Sequence, residues 1–147
     1  MLKLPLLLLV LLGTCAAQAP TQNQAQHPLA ELQSNACMLI VFAPDANSAN
    51  FKRQLDLIQR HSFELSARNT VVVPVSTASK YGDDHFSFEN LPLGTAADQA
   101  AARTRFHVQP GDFLVILVDQ DGNQQVRSAS PVDIHELMAS LDSLPRH

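Results

Sequence analysis

Cysteine is nearly absent from this chain. There are two, Cys15 and Cys37. The first falls in a leucine-rich N-terminal stretch that reads as a cleavable export signal, so the mature chain is expected to hold Cys37 alone. A lone thiol excludes an internal disulfide and any two-thiol redox motif. Such a domain must be held by its core. Tryptophan is missing, and aromatics make up 5% of residues, mostly phenylalanine. Charged residues are 16%, with a formal balance of −4 and no basic patch. That argues against a nucleic-acid partner and against binding to anionic membranes. No Gly-rich phosphate loop and no Ser-His-Asp pattern occurs. The six histidines (His27, His61, His85, His107, His135, His147) are scattered without metal-site spacing. No cofactor is implied, and repeats and heptads are absent.

What is present suits one globular domain with a real core: 147 residues, 46% of them hydrophobic. Lys3 gives a short positive end, Leu4 to Leu12 is apolar apart from Pro5, and small residues follow at Gly13 to Ala17. That run is too short to span a bilayer and has the layout of a signal peptide. Cleavage is placed after Ala17, because a cut after Ala19 would set Pro20 beside the scissile bond. In a lipoprotein Cys15 would be acylated. Leu12 suits that, but Thr14 does not. The expectation is therefore a periplasmic or secreted protein with no stable membrane anchor. Loss of Lys3 moves the charge from −4 to −5. Residues 18–33 read as a disordered leader, with a helical turn over Pro28 to Leu32, and 34–147 as the domain.

Cys37 to Phe42 is a continuous apolar run, suited to a central strand buried on both faces. Asp45, Asn47 and Ser48 are placed to cap a helix in which Phe51, Leu55 and Ile58 share one face. Asn69 suits the helix stop. Val71 to Val75 is a second strand, with Pro74 near its end. Thr95 and Asp98 resemble a capping box before an alanine-rich helix, Ala96 to Phe106. Phe113 to Val118 is a third strand. Asp121-Gly122 then signals a hairpin whose return strand is Gln124 to Ala129. Ser130 as N-cap with Pro131 at the first position starts the last helix, whose stripe is Ile134, Leu137, Met138, Leu141 and Leu144.

Several groups bear on function. Asp45, Asn47, Ser48 and Asn50, with Asp112 near the same junction, are the candidate ligand-binding residues, since a helix N-terminus offers free N–H groups. The same residues also suit plain capping. Asp83, Asp84 and His85, in an irregular segment from Tyr81 to Glu89, are weak metal candidates. Three adjacent ligands rarely converge on one ion, and a solvated loop pinned by Phe86 and Phe88 is the preferred reading. Asp119 to Asn123 has a fragment of calcium-loop spacing but lacks the later ligands, so a hairpin turn explains it. Asp56, Glu64 and Glu136 read as polar helix faces. Cys37, at the start of a buried strand, reads as a small core residue. No catalytic residue is assigned, and the chain reads more as a binding module than an enzyme. The alternatives are a one-cysteine redox enzyme using Cys37, or a metal-binding protein through the Tyr81 to Glu89 loop.

The order β-α-β-α-β-β-α makes an α/β protein with a central mixed sheet flanked by helices. It resembles the thioredoxin fold. That resemblance would place a Cys-x-x-Cys pair where this chain has Asn47-Ser48-Ala49-Asn50, and asparagine supplies no thiolate. It would also place a cis-proline before the third strand, where Asp112 stands and Pro110 lies two residues early. The closer resemblance is to an exported thioredoxin-like family, domain of unknown function 4174, also called P-DUDES. It is carried by Leu39-Ile40-Val41-Phe42-Ala43-Pro44, Phe51 to Arg60, Val71-Val72-Val73, Arg105-Phe106, Phe113 to Leu117, Asp121-Gly122, and Ser130-Pro131-Val132 to Leu144-Pro145. This implies the fold and export, but no activity, with an unidentified protein or small molecule as partner.

Overall fold

A computed structural model describes residues 29, 35–76 and 96–145. The segment holding Asp83, Asp84 and His85 lies outside them, as do Thr95 and the leucine-rich N-terminal run. Among the described residues four strands and four helices follow in order: β1 (Cys37–Ala43), α1 (Ala49–Arg60), α2 (Ser62–Ala67), β2 (Thr70–Ser76), α3 (Ala96–Phe106), β3 (Leu114–Val118), β4 (Gln124–Ser128) and α4 (Ile134–Asp142). The sheet order is β2-β1-β3-β4. β1 pairs parallel with β2, Ile40 facing Val73, and antiparallel with β3, Ile40 facing Ile116. β3 and β4 form the antiparallel hairpin. Thus the carboxyl ends of β1 and β2 and the start of β3 share one end of the sheet. Cys37, Thr70 and Val118 share the other.

The unbroken apolar run of β1 is explained by this central position. All seven of its residues are buried. Alternation then divides them between two cores. Leu39 and Val41 join Phe51, Leu55 and Ile58 of α1, Leu65 of α2 and Leu137 of α4 on one face. Met38, Ile40 and Phe42 join Ala102 and Phe106 of α3, with Leu29, on the other. β2 borders only β1 among the described strands, an edge position that tolerates Pro74. Among the described residues no helix is long and apolar enough to cross a membrane.

Three boundaries differ from expectation. The helix that starts at Ala49 does not run through to Asn69. It breaks at His61, and α2 follows as a separate turn and a half. Asn69 does stop it, in the left-handed region at φ 51°, an orientation asparagine tolerates. The cap of α1 also differs. Ser48 is the N-cap, but its side chain makes no capping bond. The Asp45 carboxylate instead accepts from the Asn47 N–H at 2.7 Å, closing the preceding turn. Finally, α4 does not begin at Ser130-Pro131. It starts at Ile134, with Asp133 as N-cap accepting from the His135 N–H at 2.8 Å. The reason is tertiary. Val132 is bound by the buried side chain of Gln54, which accepts from its N–H at 2.7 Å and donates to its carbonyl at 3.3 Å. Those bonds occupy Val132's backbone groups and seat its side chain in the core, so the N-cap falls at Asp133 rather than Ser130.

The Asp121-Gly122 turn forms as its residues dictate. Gly122 has φ 89°, where a side chain would be strained. The Asp119 N–H reaches the Asn123 carbonyl at 3.0 Å. The register passes from Leu117 facing Val126 to Val118 facing Gln124, a bulge that leaves Gln125 unpaired in the ladder. Gln125 then bonds Asp119 through its side chain at 2.7 Å.

Candidate functional site

The carboxyl end of β1 is where a thioredoxin-like fold places its chemistry. Here the loop into α1 carries Asp45 and Asn47 exposed and Ser48 half-buried, the first turn of α1 carries Asn50 exposed, and Asp112 is exposed on the turn before β3. Pairing of Phe42 with Leu114 sets the two loops on neighbouring strands. Asp112 serves its own turn: its carboxylate accepts from the Gln109 N–H at 3.2 Å, and its N–H donates to the Gln109 carbonyl at 3.1 Å.

A residue outside the predicted set ties these loops together. Arg103 of α3 is 7% exposed. Its guanidinium donates to the Ala43 carbonyl and, at 3.0 Å, to the Gln109 carbonyl. It also lies over the Phe42 ring, 5.6 Å from the centroid. Among the described residues no carboxylate lies within ion-pairing distance of it. Burial pushes its pKa down, with the Asp112 charge acting in the opposite direction. An arginine inside an alanine-rich helix looks solvent-facing in sequence. The available signal was spacing, because Arg103 shares a face with Phe106.

Chemically, the described residues at this end offer hydrogen-bonding groups and carboxylates but no thiol. Cys37 is at the other end of β1, 7% exposed and free. Burial raises its thiol pKa, and the nearby Asp119 charge raises it further, against a hydrogen bond from the Gln120 backbone. A thiol so placed holds its proton and is a poor nucleophile. The Asp119 carboxyl is held below its ordinary range. Burial would raise it, but donors from Asn123, Gln125 and Asp121 outweigh that. Its two oxygens accept four bonds, from the N–H groups of Asp121 and Asn123 and from the side chains of Asn123 and Gln125. The calcium-loop spacing is therefore spent on a turn.

Beside Cys37 a cavity of about 310 Å³ opens, away from Asn47 and Asp112. The α2–β2 turn supplies Arg68 and Asn69, the hairpin Asp119 and Gln120, and the end of α4 Asp142 and Leu144. Arg68 and Asp142 form a two-bond fork at 2.8 and 2.9 Å. Cys37 and Asn69 are joined through the backbone at 3.0 Å. No group of three or more His, Cys, Asp or Glu side chains able to hold a metal occurs among the described residues.

Solved structures of similar shape are thioredoxin-like. One is the solution structure of a thiol:disulfide interchange protein from Bacteroides sp., at 16% identity and TM-score 0.58, covering 78% of this chain and 75% of that one. Another is a DsbH oxidoreductase, at 16% and 0.51, covering 82% and 83%. A third is Mycobacterium tuberculosis AhpC, at 15% and 0.50, covering 75% and 73%. At such identities the likeness is one of fold, and the chain is an α/β protein of thioredoxin-like architecture. No curated protein matches it in sequence. Its family is shown by a match over residues 28–147: the chain belongs to the family of domain of unknown function 4174, DUF4174.

Proposed function

We propose that this protein is an exported, non-catalytic binding module that keeps the thioredoxin-like scaffold and has given up thiol chemistry, with a protein or small molecule as its partner. One observation carries this reading: the only cysteine after Cys15 sits at the wrong end of β1. The junction residues Asn47-Ser48-Ala49-Asn50 contain no thiol. Cys37 is buried across the length of the strand from them, with its pKa raised. Nucleophilic and redox cysteines instead need exposure and a lowered pKa. The exposed polar residues Asp45, Asn47, Asn50 and Asp112 are the proposed contact surface at the junction, with Ser48 beside them. Export rests on Lys3, the Leu4 to Leu12 run and the small residues after it.

Insulin-disulfide reduction and peroxide consumption by the purified protein test the reading. Both are expected to stay at the uncatalysed rate. Turnover that survives Cys37→Ser would overturn it, and turnover that Cys37→Ser abolishes would establish the one-cysteine enzyme in its place.

A further inference from the structure

We propose that His61 and His135 form a surface site for a divalent transition-metal ion, bound through one imidazole nitrogen from each ring. The two residues lie far apart in sequence, so their spacing carries no metal signature. The fold brings them together. His61 stands at the break between α1 and α2, and His135 lies in the first turn of α4. Their ring centroids are 6.1 Å apart, with the planes inclined at 64°. Two imidazoles on one ion, with metal–nitrogen bonds of about 2.1 Å, hold their centroids roughly 5–6.5 Å apart. The rings therefore already stand at the spacing of a shared ion.

The backbone beneath both rings is fixed. The His61 N–H donates to the Ile58 carbonyl at 3.1 Å, and its carbonyl accepts from the Leu65 N–H at 3.1 Å. The His135 N–H is held by the Asp133 cap, and the Gln54 bonds tie Val132 to α1. Both rings still reach solvent, with the His61 side chain 32% exposed and His135 exposed. The Glu64 carboxylate lies 3.5 Å from His61 Nδ1. A carboxylate there favours the proton on Nδ1 and leaves the Nε2 lone pair for a metal, the outer-shell arrangement usual for metal-bound histidine. The His135 ring makes no ion pair among the described residues. Asp133 and Glu136 offset the positive end of the α4 dipole at His135. The neighbouring cation Arg60 is paired with Asp56 at 2.7 Å. Two nitrogens are fewer than the three or four protein ligands of dedicated zinc sites, so waters complete the coordination and binding is reversible. Imidazole donors suit copper, nickel and zinc rather than magnesium or calcium, and copper(II) binds most tightly of these.

The site does not depend on what the junction residues bind. Its test is a copper(II) titration of the untagged mature protein at pH 7, followed by amide NMR. Paramagnetic broadening is expected first at Arg60 to Phe63 and at Ile134 to Glu136, before the amides around His107 respond. Zinc should shift the same two stretches saturably, and magnesium at equal concentration should shift neither. In calorimetry, His61→Ala and His135→Ala should each weaken zinc by about ten-fold or more, and Glu64→Gln by about ten-fold, the lower end of an outer-shell loss. His85→Ala should leave zinc binding unchanged. Copper broadening no stronger at the two stretches than around other histidines would overturn the proposal. So would zinc affinity that survives His135→Ala, or that is lost in His85→Ala.

Discussion

The Gln54 side chain and the Val132 backbone, 78 residues apart in sequence, form a closed two-bond pair inside the core. Gln54 is fully buried on α1, in the same stripe as Phe51, Leu55 and Ile58. It satisfies both backbone polar groups of Val132, in the segment between β4 and α4. Replacing it with leucine would fill similar space and strand a buried donor and acceptor. Each stranded group costs about 1–3 kcal/mol. Gln54→Leu is therefore expected to lower unfolding free energy by roughly 2–4 kcal/mol in urea denaturation. A change under about 0.5 kcal/mol, the scale of a surface substitution, would refute the pairing.

Cys37 should be inert in the native state. An exposed cysteine with pKa near 8.5 is roughly 3% thiolate at pH 7, and Cys37 is raised by burial and by Asp119. Iodoacetamide labelling followed by mass spectrometry should be slow in buffer and fast in denaturant. Fast labelling of the folded protein at pH 7 would contradict the buried, raised thiol. The same shift has a consequence for stability. A group whose folded pKa is raised favours the fold while it holds its proton. That contribution is fully present below the unfolded value, about pH 8.5, and is lost as pH climbs through the higher folded value. Wild type should lose stability on that alkaline limb relative to Cys37→Ala.

Asp119 predicts the opposite limb. Its folded carboxyl is held below the ordinary range, because the donors around it outweigh burial. Its stabilisation is present above about pH 3.9, the unfolded value, and is lost as pH falls through the folded one. Asp119→Ala should therefore flatten the acid limb of the stability profile. At neutral pH it should cost about 2–3 kcal/mol, since the Asn123 and Gln125 donors lose a charged acceptor. An unchanged acid limb in the variant would place the acid-sensitive group elsewhere.

Arg103 is expected to act as a strut between the two junction loops. Arg103→Met keeps an apolar stem but removes the guanidinium that lies over Phe42 and donates to the Ala43 and Gln109 carbonyls. The expected result is faster amide exchange from Gln109 to Phe113 and a loss of about 1–3 kcal/mol. Arg103→Lys should recover only part of this, because an ammonium lacks the planar fork that reaches both acceptors. Unaltered exchange in Arg103→Met would show that the loops are held by other contacts.

Local chemistry settled much of this fold. The continuous apolar run of β1 required burial on both faces. The β-branched residues of β2, the Asp121-Gly122 turn and Asn69 each act through their own backbone preferences, so they are legible without knowing their neighbours. The missing thiol at Asn47 to Asn50 is likewise a fact of composition. Other features depend on partners distant in the chain. Ser130-Pro131 has the pattern of a helix start, and the contact of Val132 with Gln54 overrides it. Arg103 is buried because α3 crosses the Phe42 face, which the alanines around it do not announce. Asn47 and Ser48 look like caps, yet the Asp45 turn takes the first bond. The cavity beside Cys37 combines the α2–β2 turn, the hairpin and the end of α4, which come together only when strands β1 and β3 pair. Periodicity and turn chemistry act within a few residues, so they determined the elements. Burial of polar groups and the shape of the space between elements arise from long-range contacts, so only the tertiary structure decided where charge, thiol and cavity meet.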